Sequence, residues 1–321
     1  MENRNQHPIS IRLKVTETCP WTCKFCHKEG GWQIDDVTWD TDTRLAMERL
    51  MRHAHVSEVH YTGGEPTVLN GLGLLTAGLR GMGLTVKTTT NGQLTPAKLD
   101  RLYGSGLRSF NFSMHTLDPH ELSGIQRHMG VEAARLAISL QQAAIQHAVN
   151  IGAQVKINTV ISGAQDAGRA VSIYEYAKRS GVLVRFLNDL NKGQTAIDVI
   201  DSICRDQLTA TPVWYQQKPG TSATTTYYRD NDGYEFGVKG IWRSRIPALC
   251  AGCRETCTEQ FYGMRLEKRD GIFWVRLCLH RQDDKSLMPL ADFVRSDQLK
   301  QILQVTQSGV QTGTQYSELA N

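Results

Sequence analysis

The sequence predicts an α/β protein built on a parallel sheet, and three observations predict it. Short β-branched runs alternate with longer helical stretches through residues 9–200. Turn residues such as Asn91-Gly92 and Asp118-Pro119 punctuate that alternation. The chain has 321 residues and is 40% hydrophobic, enough for one large core and a smaller appended unit. Alternation of this kind suits a doubly wound sheet, a closed barrel or a partial barrel, and periodicity alone leaves that choice open.

The strands are read at Ile11–Val15, Glu58–Thr62, Thr85–Thr89, Ser109–Ser113, Gln154–Val160 and Leu183–Leu187. The helices between them are read at Thr41–Arg52, Gly71–Arg80, Pro96–Tyr103, Arg127–Ala148 and Ala167–Arg179. Asp118-Pro119-His120-Glu121 has the form of a capped helix start, with proline at the first helical position. After residue 205 the texture changes. Gln216–Thr225 reads as a polar loop. Tyr234–Val238, Arg265–Glu267 and Phe273–Leu277 read as strands, the last two joined by an Arg269-Asp270-Gly271 turn. Residues 289–303 suggest a terminal helix, and the tail from Gln304 is polar and expected to be mobile. The expected division is 9–205, 206–303 and a flexible 304–321.

Composition excludes several classes. No apolar run is long enough to span a bilayer, and the N-terminus lacks the apolar stretch of a secretion signal. A cytoplasmic protein without a membrane partner is expected. The net charge of +4 comes without a Lys/Arg tract or recognition-helix signature, which argues against nucleic acid. A small polar substrate, neutral or anionic, is equally compatible with that charge.

Cysteine spacing carries the chemistry. Cys19, Cys23 and Cys26 follow the first strand in a polar segment. Three thiolates at this spacing can hold three corners of a [4Fe–4S] cube and leave one iron open. Zinc is the competing reading, with His27 as fourth ligand. The second group is Cys250, Cys253, Cys257 and Cys278, four thiols around a hairpin, read as an auxiliary [4Fe–4S] cluster or a zinc site. Cys204 reads as a core residue or free thiol. Gly63-Gly64-Glu65-Pro66 ends the second strand. Its glycines let backbone approach a ligand, and Glu65 can accept a hydrogen bond from a ligand ammonium.

Together these residues resemble the radical S-adenosylmethionine (SAM) superfamily. Cys19-x3-Cys23-x2-Cys26, with aromatic Phe25, matches its first motif, and Gly63-Gly64-Glu65-Pro66 its second. The resemblance implies a partial (β/α)6 barrel. It implies a [4Fe–4S] cluster whose open iron is chelated by S-adenosyl-L-methionine, and an electron donor such as flavodoxin or ferredoxin. Reductive cleavage of SAM would then give a 5′-deoxyadenosyl radical that abstracts hydrogen. Phe25, Gly63, Gly64, Glu65, Thr90, Asn91, Ser113, Lys156 and Asn158 are the implied SAM-site residues. Residues 9–190 are similar to the molybdopterin-pathway branch of GTP 3′,8-cyclases, and the late cysteines resemble a Twitch or SPASM auxiliary domain.

Departures from that branch separate the two. Glu58 stands where the cyclase has a triphosphate-contacting lysine, and Tyr262-Gly263-Met264-Arg265-Leu266 replaces its Asn-Arg-x-Arg stretch. Cys19, Cys23, Cys26, Glu58, His115 and Arg185 are the catalytic candidates, with Arg12 and Lys156 adding positive charge. The first functional expectation is hydrogen abstraction from a nucleoside, sugar nucleotide or antibiotic precursor. Decarboxylation of a nucleoside uronic acid, as in cytosylglucuronate decarboxylases, is one outcome. A peptide-modifying maturase is the second expectation, although residues 1–8 are too few for a leader-binding winged helix. A non-enzymatic metal-binding scaffold for nucleic acid or a protein partner is the third.

Overall fold

The computed structural model describes residues 9–30, 33–217, 221, 223–241, 246–253, 261–307 and 312–313. Six strands alternate with helices through its first two-thirds. They are β1 (Ile9–Thr16), β2 (Val56–Gly63), β3 (Thr85–Thr90), β4 (Ser109–Ser113), β5 (Gln154–Ile161) and β6 (Leu183–Asn188). All six are parallel and adjacent in sequence order. The helices are α1 (Thr41–Ala54), α2 (Leu72–Gly81), α3 (Pro96–Gly104), α4 (Pro119–Ile125), α5 (Val131–Asn150), α6 (Ala167–Arg179) and α7 (Gln194–Ser202). Local chemistry sets their starts. Asp40 accepts the Thr43 N–H at 2.7 Å to cap α1, and Asp118 accepts that of His120 at 2.7 Å to cap α4.

The later strands extend this sheet at both edges. They are β7 (Thr211–Gln217), β8 (Ala223–Arg229), β9 (Glu235–Ile241), β10 (Arg265–Arg269), β11 (Ile272–Arg276), β12 (Leu287–Pro289) and β13 (Thr312–Gly313). β9 runs parallel to β6, and β10 parallel to β1, giving a mixed 13-stranded sheet among the described residues. Three short helices, α8 (Pro247–Cys250), α9 (Leu290–Phe293) and α10 (Asp297–Gln307), complete the chain.

The six central strands divide their side chains by alternation. Ile11, Leu13, Val59, Tyr61, Val86, Phe110, Phe112, Ile157, Val184 and Phe186 form the core on one face. Each large member stabilises the fold by roughly 1.5–3 kcal/mol through burial. The intervening residues are polar: Arg12 and Lys14, Glu58 and His60, Lys87 and Thr89, Asn111 and Ser113, Lys156 and Asn158, and Arg185. Parallel strands usually bury apolar residues on both faces. The polar second face is therefore where a site must lie.

Four expectations are corrected. The helix read over Arg127–Ala148 begins at Val131, and the capped start at Asp118 forms its own short helix ending at Ile125. Gln126 and Arg127 between them are drawn into pairing with the cysteine loop. The loop read over Gln216–Thr225 contains the end of β7 and the start of β8. Thr224 and Thr225 pair with Gln217 and Gln216 there, because threonine's β-branching favours a strand that apolar periodicity does not reveal. The single terminal helix is two, with a break at Val294–Ser296. Its second part runs to Gln307, past the expected helix end at residue 303.

Candidate active site

The candidate site lies at the carboxyl ends of β1 to β6, with the cysteine loop leaving β1 directly. The loop's root is fixed by the glycine motif. Gly64 N–H donates to the Thr16 carbonyl at 2.7 Å, and Glu65 N–H to that of Thr18 at 2.8 Å. A methyl group on Gly63 would lie 2.3 Å from the Thr16 carbonyl oxygen, and one on Gly64 2.3 Å from that of Thr18. Gly63 also has φ near +127°, which favours glycine. The close approach is thus between two stretches of this chain's own backbone, where a ligand was expected.

Glu65 is fully buried and occupied. Its carboxylate accepts from Thr67 N–H (3.1 Å), Thr67 Oγ1 (2.6 Å), Thr90 Oγ1 (2.7 Å) and Asn91 N–H (2.5 Å). Burial pushes its carboxyl pKa up against the pull of these donors. Glu65 therefore ties the end of β3 to the end of β2. Thr90 is part of that tie, with its hydroxyl also accepting from Gly92 N–H at 3.0 Å. Asn91 is buried at the same place, and among the described residues its Nδ2 has no partner.

Cys19, Cys23 and Cys26 are free thiols on one loop. Burial pushes Cys19 up to about 11. The Trp21 backbone opposes that rise, while charge on Glu65, Cys23 and Cys26 adds to it, so these four groups sit together. Cys26 N–H turns back to the Cys23 carbonyl at 3.1 Å. Phe25 meets His115 edge-on, with ring centroids 4.8 Å apart, and so carries the loop onto the segment after β4. His27 Nδ1 accepts the Glu29 N–H at 3.2 Å. Among the described residues, no three His, Cys, Asp or Glu side chains converge as ligands of a single ion.

His115 is a buried neutral imidazole. Its Nδ1 accepts the Val160 N–H at 3.3 Å, and burial followed by the nearby Arg169 charge lowers its pKa to about 3. Asn158 finds its partner in Arg185, whose Nε donates to it at 3.0 Å while the guanidinium also reaches Asn111 at 3.1 Å. Ser113 pairs in register with Asn158, and Asn158 with Arg185. Glu58 is held by Lys87 at 2.5 Å. Lys156 makes no salt bridge among the described residues. Burial, then Arg185 and Lys87, lowers its pKa to about 8. The charge of Arg12 on β1 acts on Arg185 on β6, so the two ends of the polar face approach one another.

Sequence reasoning missed two members. Glu29 is buried between Arg12 (2.5 Å) and Arg265 (2.8 Å), joining the segment after the cysteine loop to β1 and β10. Gln126 is buried against Cys23, donating to its sulfur at 3.1 Å. A lone acid and a lone amide give no spacing signal. Of the second cysteine group, Cys257 lies outside the described residues. Cys250 and Cys253 share a turn (N–H to carbonyl, 3.1 Å), and the charges of Cys253 and Cys278 both act on Arg281. Cys204 is fully buried in the Ile203–Gln207 turn.

Comparison with known proteins adds identity to this geometry. GTP 3′,8-cyclase of Staphylococcus carnosus (strain TM300) is 28% identical over 287 residues, covering 82% of this chain and 80% of that protein. The Staphylococcus aureus (strain MRSA252) cyclase is 27% identical over 281 residues, with the same coverage. Among solved structures, Streptococcus suis SuiB bound to S-adenosylmethionine superposes with a TM-score of 0.58 at 16% identity. That match covers 92% of this chain but only 65% of SuiB. Native anSMEcpe with bound AdoMet gives 0.53 at 16% identity, covering 94% and 81%. These structures show a shared fold. No helix among the described residues is long and apolar enough to cross a membrane. The radical SAM superfamily model matches residues 13–184, more than half of the chain, from Leu13 in β1 to the start of β6, and the protein is a radical SAM enzyme.

Proposed function

We propose that this enzyme abstracts hydrogen from a small polar substrate carrying a single anionic group. The observation that carries the reading is the charge pattern of the polar face. Lys156 on β5 and Arg185 on β6 lie two register positions apart on neighbouring strands, and neither makes a salt bridge among the described residues. Glu58 pairs with Lys87, and Glu29 with Arg12 and Arg265. Two cations without a salt bridge, with the Lys87-paired Glu58 as the one negative charge acting on Lys156 among the described residues, suit one carboxylate or monophosphate better than a triphosphate. A nucleoside or sugar with a carboxylate fits, and loss of that carboxylate after hydrogen abstraction is one outcome.

The residues fit the family's cofactors. Three free thiols in mutual electrostatic reach suit a cube with one open iron. The unpartnered Asn91 Nδ2, buried beside the cysteine loop's anchor, suits an acceptor on SAM. Cys19, Cys23 and Cys26 would hold the cluster, with Phe25, Asn91, Ser113 and Asn158 around SAM. When bound, cluster and SAM supply the hydrogen-abstracting radical after one electron arrives from a flavodoxin or ferredoxin. Gly63, Gly64, Glu65 and Thr90 act by fixing the loop and strand ends. His115 supports Phe25 rather than moving protons, since it stays neutral through the physiological range. Cys250, Cys253, Cys257 and Cys278 would hold an auxiliary [4Fe–4S] cluster.

The test is anaerobic reconstitution followed by iron, sulfide and 5′-deoxyadenosine measurement. About eight iron atoms per chain are expected with two cubes, and about four with the first alone. Substrate-stimulated 5′-deoxyadenosine is expected with nucleoside carboxylates and not with GTP. Turnover of GTP to a cyclised product would refute the single-anion reading.

A further inference from the structure

The segment between α4 and α5 forms a built clip on the cysteine loop. Cys23 and Gln126 form an antiparallel bridge. Lys24 N–H donates to the Ile125 carbonyl at 3.0 Å, and Arg127 N–H to that of Thr22 at 3.2 Å. Between these backbone bonds lies the Gln126 side chain, only 3% exposed. Its Oε1 accepts the Thr22 N–H at 2.8 Å. A backbone N–H can only donate, so the atom facing it must be the amide oxygen. That fixes the flip, and the NH2 group is the one directed at Cys23 Sγ, 3.1 Å away. The geometry therefore does more than close a loop. It aims an oriented donor at one of the three thiols from a position that solvent does not reach.

We infer that Gln126 is a positioning residue for the SAM-binding cluster, holding the Cys23 thiolate and setting the cluster's reduction potential. The inference rests on the proposed assignment of Cys19, Cys23 and Cys26 to the cube. A hydrogen bond to a ligating sulfur withdraws charge, and it favours the reduced cluster, which carries one more electron. Among the described residues, Cys23 alone of the three has a side-chain donor. Cys19 and Cys26 receive no side-chain hydrogen bond among the described residues. A cube on these three thiols would meet the Gln126 amide at the middle one and the Trp21 backbone at Cys19.

The experiment is a redox titration of the reconstituted full chain with titanium(III) citrate, followed by the EPR signal of the reduced cluster. Wild type, Gln126→Leu and Gln126→Glu are compared, each with its iron content. If wild type gives no EPR-active cube, the cluster assignment itself fails, independently of Gln126. With a wild-type cube present, Gln126→Leu at full iron is expected to shift the reduction equilibrium about tenfold toward the oxidised state. That corresponds to a fall of about 59 mV for a one-electron couple. Gln126→Glu keeps the shape and the acceptor for Thr22, lacks the donor and adds negative charge, so its fall should be at least as large. An unchanged potential in a fully loaded Gln126→Leu variant would overturn the inference. Loss of iron from both variants would also overturn the tuning role, leaving Gln126 as a member of the loop's fold alone.

Discussion

Replacing Gly64 with alanine separates two accounts of the Gly-Gly-Glu-Pro motif. If the glycines make room for a ligand, Gly64→Ala weakens SAM binding and leaves the unliganded protein as stable as before. The structure predicts the opposite order of effects. The added methyl would meet the Thr18 carbonyl oxygen at 2.3 Å and that of Glu17 at 2.5 Å. Both obstacles are backbone, so no rotamer change relieves them. The two stretches must separate by roughly 1 Å to reach ordinary contact. Overpacking of this kind costs about 1–3 kcal/mol. The same separation breaks the hydrogen bonds from Gly64 to Thr16 (2.7 Å) and from Glu65 to Thr18 (2.8 Å). Each contributes about 1 kcal/mol net.

The combined loss is about 3–5 kcal/mol, a large share of a typical stability. Urea unfolding of the cluster-free chain should show it as a midpoint fall of about 1 M. Because Cys19 follows Thr18 directly, the displacement also moves the first thiol, and reconstituted iron should drop with it. A cluster-free variant with the wild-type midpoint and full iron loading, but weakened SAM binding, would refute the backbone account and restore the ligand one.

Two further predictions concern charge. The Lys156 pKa of about 8 makes anionic-substrate affinity fall as pH rises through that value, because the folded chain releases the proton there. The loss should approach tenfold per unit above it; Lys156→Arg should abolish the fall, and isothermal titration across pH 6–10 checks both. Glu29→Gln leaves Arg12 and Arg265 without their shared carboxylate and should cost about 3–5 kcal/mol at neutral pH. Burial raises the Glu29 pKa, but the two guanidiniums outweigh it and hold it well below the usual range. Its contribution is therefore full above the unfolded carboxyl value and is lost as pH falls toward the folded one. The gap between wild type and variant in denaturant titrations should narrow below about pH 4.5.

The sheet was legible because its signals are local. Each of the six central strands was read within a few residues, since β-branched runs and turn residues mark them without reference to neighbours. The Cys-x3-Cys-x2-Cys and Gly-Gly-Glu-Pro spacings were legible for the same reason. Pairings between distant segments were not. Gln126 meets Cys23 across more than a hundred residues, and the helix read through 127–130 concealed the break that makes the clip. β7 and β8 escaped because a strand of Gln, Thr and Tyr shows no apolar alternation, although its backbone pairs as well as any other.

The cations show most clearly what a sequence withholds. Arg12, Lys156 and Arg185 are equal in a list of positive residues around a cavity, and three such charges would favour a polyphosphate. In the structure they are not equal. Arg12 shares the buried Glu29 with Arg265, so its charge is already answered. Among the described residues, Arg185 donates to the neutral amide oxygens of Asn111 and Asn158, which orient it without cancelling it. Burial, followed by the charges of Arg185 and Lys87, loosens the Lys156 proton against the pull of Glu58, and a bound anion would reverse that loosening. Glu58, which replaces a cation in the resemblance to the cyclase, pairs with Lys87 and so removes a further charge from the same corner. The number of positive residues argues for the cyclase's substrate. Their pairing argues for a smaller anion, and pairing is the quantity that decides binding, because a neutralised cation attracts little at the distance of a second ligand.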